Sequence, residues 1–247
     1  IMTKIYLIRH AEAEGNLYRI VQGHIDSRIT ALGEKQLDAL AERFRNIQLD
    51  ALYSSDLTRA FRTAQAAARY RSLEIVRDPR LREICLGICE GMSFGDMRHM
   101  DPVQMDYFNN DPEKWRAEGA ETFEQCRERV YSALCDIAES NDGRTVGVVS
   151  HGFAIRSVLS KLLGVPSNEL RERLPHGDNT SVTVLRYENG GFTVELCNDN
   201  SHLPEELSTF AKQTWWKNEE GGRDDENLRY EPLNPEFDGR LYTRCYA

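Results

Sequence analysis

No stretch of this sequence is apolar over anything near the about 18 residues of a membrane span, and no basic segment followed by an apolar run stands near its start. The expected setting is the cytoplasm, with thiols reduced and no membrane partner. The six cysteines, Cys85, Cys89, Cys126, Cys135, Cys197 and Cys245, form none of the close pairs with histidine partners that structural zinc sites show. Cys85 and Cys89, the nearest pair, read as ordinary thiols that behave as small hydrophobes. Positive charge is also short: 31 Lys and Arg stand against 40 Asp and Glu, a formal net charge of -9. Duplex binding draws most of its affinity from basic side chains on phosphates, so no nucleic-acid partner is expected. Any phosphate chemistry must rest on local basic clusters. With only 8 prolines, 40% hydrophobic and 29% charged residues, the composition excludes disordered and fibrous classes.

What is present is an alternation of strands and helices. Lys4 to Ile8 reads as a buried strand ending at Arg9 and His10. Thr30 can cap a helix whose apolar positions Leu32, Leu37, Leu40, Ala41 and Phe44 recur at helical steps. Ala51 to Tyr53 is a second strand, followed by Asp56 as a cap and a helix through about Tyr70; Leu73 to Val76 is a third strand. Thr122 and Glu124 open a long amphipathic helix, and Thr145 to Val149 is the continuous apolar run of a central parallel strand. Phe153 to Leu163 is a helix ended by Gly164 and Pro166, and Ser181 to Tyr187 with Phe192 to Cys197 form a hairpin. This order predicts an α/β fold: a three-layer α/β/α sandwich with a mostly parallel sheet, an antiparallel edge strand, and an inserted helical lid region. The expected organisation is one domain over residues 2–200, with the insertion at about 86–119, and a C-terminal appendage over 201–247. The appendage carries Trp215, Trp216 and an acidic run. Its aromatics need burial, either docked on the domain or against a second subunit, as in a homodimer, or another partner.

Arg9 and His10, Ser54 and Ser55, and Ser150, His151 and Gly152 all stand at the carboxyl ends of strands, where open α/β sheets bind ligands. Spacing alone therefore predicts one shared cleft. A single histidine after a strand is most often structural, but His10 has company. His151 precedes a helix whose N-terminal amides and dipole can receive an anion, and two imidazoles with arginines around one helix terminus describe a phosphate pocket. Phosphoryl transfer spreads charge over three oxygens, so positioning and cations carry most of the catalysis. Arginine suits this because its planar fork holds two phosphate oxygens at once.

The run Leu7-Ile8-Arg9-His10-Ala11-Glu12-Ala13-Glu14-Gly15-Asn16 resembles the Arg-His-Gly signature of the histidine phosphatase (phosphoglycerate-mutase-like) superfamily, in which the histidine is the nucleophile. The likeness continues through Gln22-Gly23, Asp26, Thr30 and Gly33, through Ser54-Ser55-Asp56-Leu57-Thr58-Arg59-Ala60 with Thr63-Ala64, and through Leu81-Arg82-Glu83. It ends with Ser150-His151-Gly152 and Asn179-Thr180-Ser181, and spans roughly residues 3 to 198. The resemblance implies a metal-independent phosphomonoester hydrolase of small phosphorylated metabolites, with no cofactor. It works through a phosphohistidine on His10, with Arg9, Arg59 and His151 as the stabilising catalytic groups and Glu83 as general acid/base. Asn16, Gln22, Gly23 and Gly152 match positions that contact substrate or phosphate. A backbone carbonyl is expected to fix the tautomer of His10, Glu12 to hold Arg9 or its neighbour, and Arg62 and Arg82 to be surface charges.

Two departures stand out: Ala11 where the family has glycine, and Ala13 where Thr or Ser is usual. The segment that marks the mutases is replaced by Ile84-Cys85-Leu86-Gly87-Ile88-Cys89-Glu90-Gly91, similar to the Gly-x-x-Glu-Gly of phosphatase members. That favours hydrolysis. Phosphoglycerate mutase-type transfer and a non-catalytic phospholigand-binding module are the alternatives. Specificity is expected from the insertion, where Arg98, His99, Lys114, Trp115 and Arg116 are candidates for a second anionic group.

Overall fold

The computed structural model describes residues 2–213. In chain order the elements are β1 (Thr3–Arg9), α1 (Glu14–Leu17), α2 (Ala31–Phe44), β2 (Ala51–Ser54), α3 (Thr58–Ala67) and β3 (Ile75–Arg77). Then come α4 (Phe94–Met100), α5 (Pro102–Asn110), α6 (Phe123–Ser140), β4 (Thr145–Ser150) and α7 (Gly152–Leu163). The last are α8 (Leu170–Arg173), β5 (Val182–Glu188), β6 (Gly191–Asp199) and α9 (Thr209–Lys212). The six strands form one sheet in the order β3-β2-β4-β1-β5-β6. The first four are parallel to one another; β5 runs against β1, and β6 returns beside it as the edge. This is the mostly parallel sheet with an antiparallel hairpin at one edge that the strand-helix alternation predicts.

Each face of the sheet is covered because its strands are apolar on both sides. On one face, Ile5, Leu7, Val146 and Val148 pack with Val130, Leu134, Ile137, Val158 and Leu159 of α6 and α7. On the other, Ile8, Leu52 and Val149 meet Leu40, Phe44, Ala60 and Ala64 of α2 and α3. Gly147 lets β4 and β2 close up, since a Cβ there would lie 2.6 Å from Leu52 Cδ1. The hairpin turns at Asn189 and Gly190, both with positive φ (54° and 78°), as the mirror-image two-residue turn requires.

Helix ends follow local rules with one exception. Thr30 Oγ1 accepts from Gly33 N–H at 3.0 Å, Thr122 and Gln125 form a capping box, and Gly164 ends α7 in the left-handed region. Asp56, expected to cap α3, does not: it forms a two-pronged pair with Arg82 at 2.7 and 2.6 Å. Asp26, from a loop distant in sequence, accepts from Thr58 N–H and Thr58 Oγ1 at 2.8 and 2.6 Å and takes over the cap. The same helix ends at Ala67 rather than near Tyr70, where Arg71 Nη1 donates to the Ala67 carbonyl at 3.0 Å.

The insertion is tied into the main core. Phe108 stacks on Phe153 of α7 at 5.0 Å and meets Trp115 edge-on at 5.3 Å. Trp115, 1% exposed, is therefore a core residue rather than a ligand contact. Lys114 pairs with Asp111 at 2.9 Å, and Arg116 donates to the Glu113 and Trp115 carbonyls at 2.8 and 2.6 Å, while Arg98 and His99 are exposed. The described end of the chain lies against α2: Gln36 Nε2 donates to the Leu207 carbonyl and to Thr209 Oγ1 at 2.8 and 2.9 Å. Trp215, Trp216 and the acidic run, on which the docking-or-dimer expectation rests, fall outside the described residues. Among the described residues, no helix is long and apolar enough to cross a membrane, and the five cysteines are free thiols.

Candidate active site

The carboxyl ends of β1, β2 and β4 bring Arg9, His10, Ser54, Ser55, Ser150 and His151 together, as their spacing predicts. His10 N–H donates to the Ser150 carbonyl at 3.0 Å, and the His10 and His151 rings stand 5.1 Å apart, centroid to centroid. His10 Nδ1 lies 2.7 Å from the Ala11 carbonyl oxygen. A carbonyl only accepts, so Nδ1 carries the proton and Nε2 keeps its lone pair. The expected tautomer-fixing carbonyl is thus that of the residue next in sequence. Ala11 is itself held, its N–H donating to Thr63 Oγ1 at 3.0 Å. Burial, then Arg59 and Arg9, push the His10 imidazolium well below the usual histidine range, so the ring is neutral near pH 7.

His151 is fully buried, with Nε2 2.8 Å from Ser55 Oγ and Nδ1 lacking a partner among the described residues. An orphaned buried nitrogen is what a ligand oxygen would satisfy. Arg59, 1% exposed, donates to the Ile25 and Gly23 carbonyls at 2.7 and 2.9 Å and leaves Nε free of protein partners. Burial brings its guanidinium down to about 10, still charged at neutral pH, with Glu83, Asp26 and Glu90 opposing the shift. Arg9 Nη1 donates to the Gly177 carbonyl, the Phe210 ring lies 5.7 Å from its guanidinium carbon, and its buried Nε has no partner. A Cβ on Gly152 would stand 3.0 Å from that Nε, so glycine is what lets the first turn of α7 approach Arg9.

Glu83 departs from the simplest expectation for α7. The N-terminal amides thought free for a substrate anion are taken by its carboxylate: Oε1 accepts from Ala154 and Ile84 N–H at 2.8 and 3.0 Å, and Oε2 from Phe153 N–H at 3.1 Å. A helix N-terminus favours negative charge, and here the candidate acid/base supplies it. The loop bearing it is clamped by Arg129, which donates to the Arg80, Arg82 and Glu83 carbonyls at 2.6, 3.1 and 3.2 Å and pairs with Glu121 through two contacts of 2.7 Å. His24 Nε2 meets the Glu83 carbonyl at 2.8 Å. Sequence reasoning missed Arg129, Glu121 and His24, since a helix-surface arginine and a loop histidine carry no local signal of such partners.

The expected substrate contacts sit on the adjoining loops. Asn16 Oδ1 accepts from Ala13 N–H at 3.1 Å, and Asn179 Nδ2 links the His10 carbonyl at 2.9 Å to Asn16 Oδ1 at 3.5 Å. Gln22 Oε1 accepts from Ser27 Oγ at 2.5 Å. Gly23 has φ +49°, and a Cβ there would meet Glu90 Oε1 at 2.1 Å. That oxygen already accepts from the His24 and Leu86 N–H groups at 3.0 and 2.9 Å. Glu12 does not hold Arg9, against expectation; its carboxylate accepts from Thr30 Oγ1 and Thr209 Oγ1 at 2.7 and 2.9 Å. The direction of the Glu12 side chain, toward α2, makes the difference. Arg62 and Arg82 pair with Glu34 and Asp56 as surface charges do.

The depressed histidines have a consequence for stability. Burial lowers both His10 and His151 well below 6.5, so below about pH 6.5 the unfolded chain binds protons that the folded one refuses. Stability present above pH 6.5 is then lost as the pH falls toward the folded-state values, at up to about 1.4 kcal/mol per pH unit for each ring. Urea midpoints measured from pH 7.5 to 5 are expected to drop with acidification, and less so in His151→Asn. A flat profile from pH 7.5 to 5 would mean that the rings are solvated.

Known proteins resemble this chain over most of its described length. The family model described as histidine phosphatase superfamily (branch 1) matches residues 5–200. A protein named probable phosphoglycerate mutase GpmB, from Salmonella choleraesuis, is 34% identical over 208 residues, 82% of this chain and 95% of its own length. The solved structure of Bacillus stearothermophilus YhfR superposes with a TM-score of 0.78 at 34% identity, covering 81% of this chain and 98% of that one. Phosphoserine phosphatase from Entamoeba histolytica, solved with phosphoserine, gives 0.70 at 26% identity, covering 82% of this chain and 100% of that one. A family match over residues 5–200 means that the chain belongs to the histidine phosphatase superfamily.

Proposed function

We propose that the chain is a metal-independent phosphomonoester hydrolase of small phosphorylated metabolites in the cytoplasm, working through phospho-His10. The observation that carries this reading is the His10 ring held through Nδ1 on the Ala11 carbonyl at 2.7 Å, 5.1 Å from the ring of His151, whose Nδ1 has no partner among the described residues, with the guanidinium of Arg59 buried. In the first step His10 Nε2 bonds to phosphorus, the ester P–O bond breaks, and Glu83 gives its proton to the departing alkoxide. In the second, Glu83 takes a proton from water, the water oxygen bonds to phosphorus, and the N–P bond breaks to release orthophosphate and neutral His10. Arg9, Arg59 and His151 hold the phosphoryl oxygens throughout, with Asn16, Gln22, Gly23 and the Gly152 backbone lining the substrate side. To act as the acid, Glu83 leaves the α7 amides when a protonated carboxyl and a phosphate oxygen compete for them.

The GpmB likeness favours a second reading, phosphoryl transfer between hydroxyls of a phosphoglycerate. One experiment separates the two. The wild-type chain is mixed with a labelled phosphate ester in the presence of a chelator, quenched in alkali, and the label followed. An alkali-stable phosphohistidine that decays to orthophosphate is the expected result. Label passing to an alcohol acceptor supports the mutase; no labelled protein and no turnover leaves a phospholigand-binding module; loss of turnover to the chelator overturns metal independence.

A further inference from the structure

The chain segment after β6 touches several of the elements that build the site, through residues 208, 209, 210 and 213. Ser208 Oγ donates to Asp178, the neighbour of Asn179, whose Nδ2 donates to the His10 carbonyl at 2.9 Å. Thr209 Oγ1 donates to Glu12 Oε2 at 2.9 Å while accepting from Gln36 Nε2 at 2.9 Å. The Phe210 ring faces the Arg9 guanidinium at 5.7 Å, and Gln213 Nε2 donates to the Asn16 carbonyl at 2.9 Å. Ser208 and Thr209 are buried, at 8% and 1% exposure.

We infer that Thr209 is a positioning residue for the nucleophile: by holding the Glu12 carboxylate against α2, it holds the adjoining Ala11 carbonyl on His10 Nδ1. This rests on the reading of His10 as nucleophile. The route is short and every link is a hydrogen bond or one peptide unit. Glu12 is 3% exposed and its carboxylate has hydroxyl donors rather than a cation; Thr30 supplies one and Thr209 the other. Glu12 N–H donates to Gln36 Oε1 at 2.8 Å, and Gln36 Nε2 is itself oriented by Thr209. Removing the Thr209 hydroxyl leaves one Glu12 oxygen and one Gln36 donor hydrogen without a buried partner, and both groups bear on the peptide that carries the Ala11 carbonyl. Released from that carbonyl, the His10 proton divides between its two nitrogens, and the attacking lone pair is lost in part of the population.

The test uses the full chain with Thr209→Val, of nearly the same shape, and Thr209→Ser, which restores the hydroxyl. Side-chain 15N shifts of His10 read the tautomer directly, beside kcat and KM for an aryl phosphate and the melting temperature. In Thr209→Val a mixed tautomer is expected, with kcat down about ten- to a hundredfold, as for small misplacements of a reacting group, and KM within about threefold of wild type. Thr209→Ser restores both the tautomer and kcat. The inference is overturned if Thr209→Val keeps a pure Nδ1–H tautomer, or if Thr209→Ser is as impaired as Thr209→Val. Should the wild type hydrolyse no ester, the hydrolase reading fails by itself, and the His10 shifts still decide the role of Thr209.

Discussion

Replacing His10 by alanine is expected to lower turnover of an aryl phosphate by about 10⁴-fold or more and to abolish the phosphoenzyme, the scale on which a covalent nucleophile is lost. Among the described residues, no neighbouring group is placed to take over. The His151 ring lies 5.1 Å away, but its Nε2 is engaged with Ser55 Oγ, and the proposed mechanism gives its other nitrogen to a phosphoryl oxygen. The cationic pocket survives the substitution, because Arg59 is held by the Gly23 and Ile25 carbonyls and Arg9 by that of Gly177, none of which depends on the imidazole. Orthophosphate inhibition or binding in the variant should therefore stay within a few-fold of wild type. Phosphoenzyme persisting in His10→Ala would move the nucleophile elsewhere.

The second large effect belongs to Glu83→Gln, and it depends on the leaving group. An alkyl phosphate expels a basic alkoxide that needs a proton, so its hydrolysis is expected to fall by about 10²- to 10⁴-fold, the range of general acid-base catalysis. An aryl phosphate with an acidic phenol leaves without that help, and its first step should be affected far less. The second step still lacks its base, so phospho-His10 should accumulate and an aryl substrate should show a burst of phenol near one equivalent. The substitution also turns an amide NH₂ toward backbone N–H donors where Glu83 has two accepting oxygens, so the loop at residues 82–84 should loosen in hydrogen exchange. Equal loss on alkyl and aryl esters, without a burst, would reduce Glu83 to an anchor of the α7 terminus.

Most of the sheet was legible because its signals are local. Continuous apolar runs such as Thr145 to Val149, the Thr30 and Thr122 caps, Gly164 after a helix, and Asn189-Gly190 between two strands each depend on a few adjacent residues. Where the reading missed, the competing partner lay far off in the chain. Asp56 has the composition of a cap, but Arg82 offered it two donors and Asp26 reached Thr58 first. Glu12 sits beside Arg9 in sequence yet turns to Thr30 and Thr209. Trp115, which reads in sequence as a ring available to a ligand, is buried against Phe108.

The same division holds at the candidate site. By itself the sequence determined which groups are available and that they collect at strand ends: Arg9 and His10 after one strand, Ser54 and Ser55 after a second, His151 after a third. It did so because strand order and handed crossovers leave little freedom once the alternation is set. Only the tertiary structure decided what each group is bonded to: Glu83 on the amides of α7, Arg129 across the loop carrying Glu83, Arg59 on the Gly23 and Ile25 carbonyls, and Thr209 on Glu12. Backbone periodicity is settled by neighbours in the chain, whereas a side-chain hydrogen bond depends on a few tenths of an ångström between atoms that can be 197 residues apart, as Glu12 and Thr209 are.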